Sequence, residues 1–110
     1  MRIELLYFHG CPSQQRLQPR LERLLREAGL EPAVKLRRIE SPESAEAERF
    51  LGSPSVRVND EDVEPGADER DDYALKCRLY RSDAAASGLP PDGWINAALE
   101  RAKQQEVAHE

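Results

Sequence analysis

The sequence has few residues of the kinds that tie a small protein together or attach it to nucleic acids or membranes. Two of its 110 residues are cysteines, so a disulfide framework is not expected, which leaves the thiols for metal binding, catalysis or core packing. Acidic residues outnumber basic ones by 21 to 16, and the formal charge of -5 argues against nucleic acid as a partner. No apolar run approaches the roughly 18 residues of a membrane span. We therefore expect a cytoplasmic protein without membrane contact; the composition indicates no oligomeric state.

The length of the chain predicts one domain with a core of its own. A chain of this size buries roughly 65% of its unfolded surface, which is enough for a core without cross-links. We place the domain at residues 1–103 and predict a polar, frayed tail at 104–110.

The first half of the sequence alternates strand and helix patterns. Residues 2–8 are apolar on both faces and predict a central, covered strand. From residue 13 the apolar positions follow the spacing of one helical stripe, which ends at Gly29. Residues 33–39 predict a second strand, and Ser41 is the expected cap of a helix that runs to about residue 51.

The second half predicts mainly strands and one helix. Residues 55–64 have the pattern of a hairpin, and residues 73–80 alternate as a half-buried strand. A last amphipathic helix follows Pro91, with Trp94 expected to pack against the sheet. The order β-α-β-α-β-β-(β)-α predicts an α/β fold: a mixed sheet of four or five strands with helices on both faces.

The stretch "HGCP", residues 9–12, places Cys11 where the first strand passes into the first helix. A helix N-terminus stabilises a nearby anion by about 0.3–2 kcal/mol, which favours the thiolate. We therefore expect a partly exposed, reactive thiol with His9 beside it. The alternative is a small apolar residue that fills the strand–helix junction.

Several features of the sequence resemble the thioredoxin-like superfamily. They are the "HGCP" junction, Pro19 within the first helix, and "FLGSPSVRVN", in which Ser53-Pro54 precedes a strand. The stretch "FLGSPSVRVNDEDVEPG" is also similar to short bacterial thioredoxin-like proteins with GCP and SPS motifs. The resemblance implies a thioredoxin-like three-layer fold and a cis Ser53–Pro54 bond that faces the cysteine. It also implies substrate binding at His9, Ser53 and Pro54, with the Ser53 backbone free to pair with a substrate peptide.

The sequence departs from the thioredoxin pattern at Gln14, where a second cysteine is usual. A two-thiol cycle within the chain would then require Cys77. That residue shares the predicted inner face of its strand with Tyr73, Leu75 and Leu79, so it is either a buried, small apolar residue or a resolving thiol.

Three functions remain open at this point, so the sequence alone does not establish an enzyme. The first is a thiol-disulfide oxidoreductase with Cys11 as nucleophile and Cys77 or an external thiol as the resolving group. Its partners would be protein or small-molecule thiols and disulfides, with no cofactor. The second is a thioredoxin-fold module that binds proteins without catalysis. The third is binding and transfer of a thiophilic metal through Cys11 and Cys77, although no dedicated metal site is predicted.

Overall fold

The computed structural model describes residues 1–82 and 86–108. The helices and strands, in chain order, are β1 (Ile3–Tyr7), α1 (Pro12–Glu27), β2 (Lys35–Arg38), α2 (Pro42–Ala47), β3 (Ser55–Val58), β4 (Glu61–Asp62), a 3-10 helix (Ala67–Glu69), β5 (Tyr80–Arg81), β6 (Ala86–Ser87) and α3 (Asp92–Ala108).

Four of the strands form one mixed sheet in the order β2-β1-β3-β4. The central strand β1 runs parallel to β2 and antiparallel to β3, and β4 is the antiparallel return of a hairpin. Helix α1 connects the parallel pair, because parallel neighbours need a crossover. Within the described residues, β5 and β6 pair only with each other. The predicted α/β fold with a mixed four-stranded sheet is therefore confirmed.

The two faces of β1 lie in two separate apolar clusters, which explains its apolar sequence on both sides. Ile3 and Leu5 belong to the larger cluster, and Leu6 belongs to the smaller one. The larger cluster includes the stripe of α1 and the inner face of α3: Leu17, Leu21, Leu24, Leu25, Ile95, Ala98, Leu99 and Ala102. The smaller cluster adds Ile39, Ala45 and Phe50 from α2 and its flanks. Helices thus cover both faces of the sheet.

Helix α2 begins where the sequence predicts but ends earlier. The Ser41 hydroxyl accepts a hydrogen bond from the Ser44 N–H at 3.0 Å, as a cap should. The helix ends at Ala47 rather than near Leu51. Arg57 of β3 donates to the two backbone carbonyl groups that directly follow the helix, at residues 48 and 49. The Arg57 side chain thus supplies hydrogen-bond donors to carbonyl groups beyond the end of the helix.

The β3–β4 hairpin turns at Asn59 and Asp60. Their φ angles of 52° and 71° are those of a two-residue hairpin turn of the type that matches the strand twist. The return strand β4 is only Glu61–Asp62, shorter than predicted.

The half-buried strand predicted for residues 73–80 is wrong. Regular pairing begins only at Tyr80, and the preceding residues contribute a single bridge at Cys77. The buried side chains are Arg78 and Tyr80, whereas Cys77 and Leu79 are exposed. The side chains that face the core are therefore those that the sequence pattern predicts to face solvent. The physical reason is that Arg78 is buried against carboxylates, which an apolar pattern does not reveal.

Helix α3 is longer than the sequence predicts. It runs to Ala108, through most of the segment assigned to a frayed tail, of which residues 109–110 lie outside the described part. Trp94 is half-buried against the larger cluster, as expected. Within residues 1–82 and 86–108, no helix has both the length and the apolar character needed to cross a membrane.

Candidate functional site

Cys11 is the N-cap residue of α1. Its backbone is extended (φ −75°, ψ 111°), its N–H donates to the Phe8 carbonyl at 3.3 Å, and Pro12 begins the helix. The first helical turn carries no acidic residue that would oppose a thiolate. The expectation of a partly exposed thiol is wrong, because Cys11 is only 6% exposed in the angle between strand and helix. His9 is exposed in the turn that precedes it.

Ser53 and Pro54 are buried at the start of β3, next to the end of β1. The Ser53 hydroxyl accepts a hydrogen bond from the Phe8 N–H at 3.3 Å. Phe8 in turn holds the backbone of Cys11 through its carbonyl group. The Ser53–Pro54 peptide bond is cis. The structure therefore brings the Ser53–Pro54 pair to the strand–helix junction that carries Cys11.

The backbone of Ser53 is already paired, contrary to the expectation that it is free for a substrate. Its N–H donates to the Lys76 carbonyl at 2.8 Å, and its carbonyl accepts from the Arg78 N–H at 2.9 Å. These two bonds form a parallel bridge between Ser53 and Cys77. We call residues 76–78 the docked segment. This segment occupies the position that the resemblance assigns to a substrate peptide.

The docked segment lies directly against the Gly52 backbone. A Cβ atom at Gly52 would lie 2.9 Å from the Arg78 Cβ and 3.1 Å from the Lys76 carbonyl oxygen. Gly52 also has a φ of 126°, which side chains rarely allow. Only glycine fits this close approach without displacement of the segment.

Cys77 lies in the middle of the docked segment with its side chain exposed. The interpretation of Cys77 as a buried, small apolar residue is therefore wrong. Both cysteines are free thiols in the structure. Since the neighbours of Cys77 bond to the Ser53 backbone and the Ser53 hydroxyl bonds to Phe8, one residue connects the two thiol-bearing segments.

Arg78 anchors the docked segment from below. Its side chain is 1% exposed, and its guanidinium donates to both carboxylate oxygens of Asp62, at 2.7 and 2.9 Å. A further bond at 2.8 Å reaches the Ser55 hydroxyl, and Glu64 lies at 3.4 Å. Burial is the largest influence on Arg78 and lowers the pKa of its guanidinium, but the hydrogen bonds to Asp62 and the electrostatic interactions with Asp62, Glu64 and Tyr80 together outweigh burial, so the pKa is raised. The charge is thus buried and paired.

Tyr80 is the second anchor of this part of the chain. Its hydroxyl donates to the Pro54 carbonyl at 2.5 Å, and its ring lies 4.4 Å below the Arg78 guanidinium carbon. The opposite edge of the ring contacts Trp94 at a centroid distance of 6.2 Å. Burial raises the pKa of Tyr80 above its usual value, so the hydroxyl stays protonated and continues to donate.

The acidic segment before the docked segment is organised by ion pairs. Arg70 donates to Glu64 and, through two nitrogens, to Asp72. Lys76 also donates to Asp72, at 2.7 Å. The hydrogen bonds from Arg70, and then from Lys76, hold the pKa of Asp72 well below its usual range. Much of the acidic charge here therefore serves to hold residues 70–78 in place.

Sequence reasoning missed Asp62, Arg78 and Tyr80. One signal was present: an arginine alternates with apolar residues in "LKCRLYR", and a carboxylate follows the hairpin turn. A basic residue within an apolar alternation is either exposed or paired with a buried acid. The pattern does not say which, because the partner lies 16 residues away.

The surface cavity beside β4 lies apart from the thiols, and no metal cluster marks them among the residues that the structure describes. A surface cavity of about 440 Å³ lies beside β4 and the 3-10 helix, and charged side chains such as Arg57 and Asp62 line it. Neither cysteine lines that cavity. Among the residues that the structure describes, no three histidine, cysteine, aspartate or glutamate side chains converge as a metal site would require.

Comparison of the chain with protein-family models, with curated proteins and with solved structures gives no match. We therefore infer the function from the residues described above.

Proposed function

We propose that the protein is a thioredoxin-like thiol-disulfide oxidoreductase in which Cys11 is the nucleophile and Cys77 the resolving thiol. The observation that carries the proposal is the bonding of Ser53 to both cysteine-bearing segments, through its hydroxyl on one side and its backbone on the other. The layered arrangement of β1-α1-β2 and the β3-β4 hairpin supports the thioredoxin-like assignment.

The position of Cys11 supports its role as the nucleophile. Cys11 is the N-cap residue of α1, so it lies at the positive end of the helix dipole, and the first helical turn carries no acidic residue. A thiolate, rather than a thiol, attacks disulfides. The low exposure of Cys11 restricts which disulfides reach it.

The position of Cys77 supports its role as the resolving thiol. Its side chain is exposed, and its backbone neighbours are fixed to Ser53, so the thiol is accessible yet held near the junction. A cysteine at this place replaces, from a distant part of the sequence, the one that is absent at position 14.

The reaction balances with the two thiols alone as reductant. The Cys11 thiolate attacks one sulfur of a substrate disulfide, a Cys11 mixed disulfide forms, and the other substrate sulfur leaves as a thiolate. The Cys77 thiolate then attacks the Cys11 sulfur and releases the second substrate thiolate. The substrate gains two electrons, and the protein is left with a Cys11–Cys77 disulfide. Two external thiols reduce that disulfide, leave as one external disulfide and complete the cycle.

The test is a trapping experiment with the Cys77→Ser variant. Without the resolving thiol, we expect bis(hydroxyethyl) disulfide to leave a stable mixed disulfide on Cys11, which intact-mass and peptide analysis would locate. The wild-type protein should accumulate no such adduct, and the Cys11→Ser variant should label only at Cys77. An absence of adduct on Cys11 in folded Cys77→Ser protein would contradict the proposal and favour a non-catalytic binding module.

A further inference from the structure

Addition of an extended peptide to this site needs free backbone groups beside Cys11. Strand addition uses the N–H and C=O groups of an exposed edge, and the affinity comes largely from those main-chain bonds. At Ser53 both groups are bonded to residues 76 and 78. From Ser55 onward β3 lies between β1 and β4 in the sheet. The docked segment thus fills the edge that a peptide would need.

The docked segment is held by more than its two backbone bonds. Arg78 is a buried cation that pairs with Asp62. Separation of the two would leave a buried charge without its partner, which is strongly unfavourable. Tyr80 fixes the next residues through the Pro54 carbonyl. The segment also lies so close to the Gly52 backbone that no side chain would fit between them. These contacts anchor the docked segment beside the start of β3.

We infer that the docked segment excludes extended polypeptides and makes low-molecular-weight disulfides the substrates of Cys11. This inference rests on the proposed function. A small disulfide needs no strand pairing, so the docked segment does not compete with it for backbone bonds, and its small size suits a thiol that is only 6% exposed. A polypeptide disulfide would have to displace a paired, anchored segment first. The restriction follows from residues 76–78 alone and does not depend on the identity of the substrate's other groups.

The chemistry of the restricted reaction balances as above. One small disulfide accepts two electrons and becomes two thiols, while Cys11 and Cys77 become a disulfide. Two molecules of a low-molecular-weight thiol then reduce the protein through the reverse exchange, and together they are oxidised to one disulfide.

Hydrogen exchange of the wild-type protein tests the docking itself. We expect the Ser53 and Arg78 amides to exchange as slowly as amides within β3, because each donates an internal hydrogen bond. Exchange of both amides at the rate of unstructured residues would overturn the inference, whatever the activity of the protein.

Kinetics with the wild-type protein test the restriction. The probes are bis(hydroxyethyl) disulfide and the disulfide-linked dimer of a short unstructured peptide. The rate at which the free Cys11 thiol is lost, followed by alkylation and peptide mass analysis, is divided by the rate of the same disulfide with a free thiol. We expect the small probe to have an advantage of at least about tenfold, the factor that the loss of both backbone bonds would produce. Equal normalised rates would overturn the restriction.

A pair of glycine variants tests the cause. Gly52→Ala places a Cβ 2.9 Å from the Arg78 Cβ and should loosen the docked segment. Gly29→Ala is the matched control, because its φ is also positive, at 77°, but no atom lies within 4 Å of the new Cβ. We expect Gly52→Ala to reduce the small-probe advantage severalfold and Gly29→Ala to leave it unchanged. An unchanged advantage in folded Gly52→Ala protein whose Arg78 amide exchanges faster would overturn the inference.

The outcomes separate the inference from the proposed function. If neither probe modifies Cys11, the proposed function fails, and the substrate restriction fails with it. If both probes modify Cys11 at equal normalised rates, the proposed function stands and only the restriction is overturned. The exchange and wild-type rate measurements need no variant, so a Gly52→Ala protein that does not fold leaves both tests in place.

Discussion

Ser53 and Cys77 are partners in a parallel β-bridge, and this single pairing connects the two parts of the candidate site. It explains how an exposed cysteine of a segment without regular strand structure is held next to β3. It also accounts for the close approach of the chain to Gly52. The contacts that maintain the bridge can be tested by measurements of stability.

The Arg78–Asp62 ion pair should contribute strongly to stability. Asp62→Ala would leave the Arg78 guanidinium buried without its bidentate partner, so we expect a loss of about 3–5 kcal/mol in the free energy of unfolding. Urea unfolding at neutral pH would measure this loss.

The control for this prediction is Asp72→Ala. Asp72 also accepts from two cations, but its side chain is 48% exposed, so its removal should cost less than about 1 kcal/mol. Similar losses for the two variants would show that burial of Arg78 does not determine the energetics of this segment.

Tyr80 should make stability fall at alkaline pH. Because burial raises the pKa of Tyr80, the folded protein retains a proton that the unfolded chain loses above about pH 10. The contribution is therefore complete below about pH 10 and decreases above it, by up to about 1.4 kcal/mol per pH unit. The comparison is between wild type and Tyr80→Phe, unfolded in urea across this range.

The Phe variant lacks both the titrating group and the bond to Pro54. It should be less stable than wild type by about 1 kcal/mol near pH 8, and the difference should shrink or reverse above about pH 10. A difference that stays constant with pH would contradict the assignment of Tyr80 as a buried, neutral donor.

The two cysteines should differ in their tolerance of serine. Cys77 is exposed, so Cys77→Ser should change the free energy of unfolding by no more than about 0.5 kcal/mol. Cys11 is buried, and a hydroxyl placed there should cost about 1–3 kcal/mol. Denaturant unfolding of both variants under reducing conditions makes the comparison. A larger loss for Cys77→Ser would place that side chain in the core, in conflict with its exposure.

The sequence predicts the parts of this fold that depend on local patterns. The stripe from Leu17 to Leu25 has helical spacing, and a helix with such a stripe packs on a sheet regardless of distant details. Ser41 caps α2 through a residue three positions away, so the signal and the structure lie close together. The position of Cys11 at a helix N-terminus follows from the same local signals.

The sequence does not predict the features that depend on distant partners. The alternating pattern of residues 73–80 is compatible with burial of either set of side chains. The ion pair between Asp62 and Arg78 determines which set is buried. The hydrogen-bond partners of the Ser53 backbone likewise lie in a segment more than 20 residues further along the chain. Neither a pattern nor a spacing carries this information, because it depends on charge pairing and packing between separate segments.

Disulfide mapping of the oxidised wild-type protein tests the central claim most directly. The protein would be treated with a small disulfide, quenched by acid, digested without reduction, and analysed by mass spectrometry. We expect one intramolecular Cys11–Cys77 disulfide that dithiothreitol reverses, together with release of two small thiols per protein chain. Only mixed disulfides on Cys77, with Cys11 unmodified and no Cys11–Cys77 bond, would contradict it.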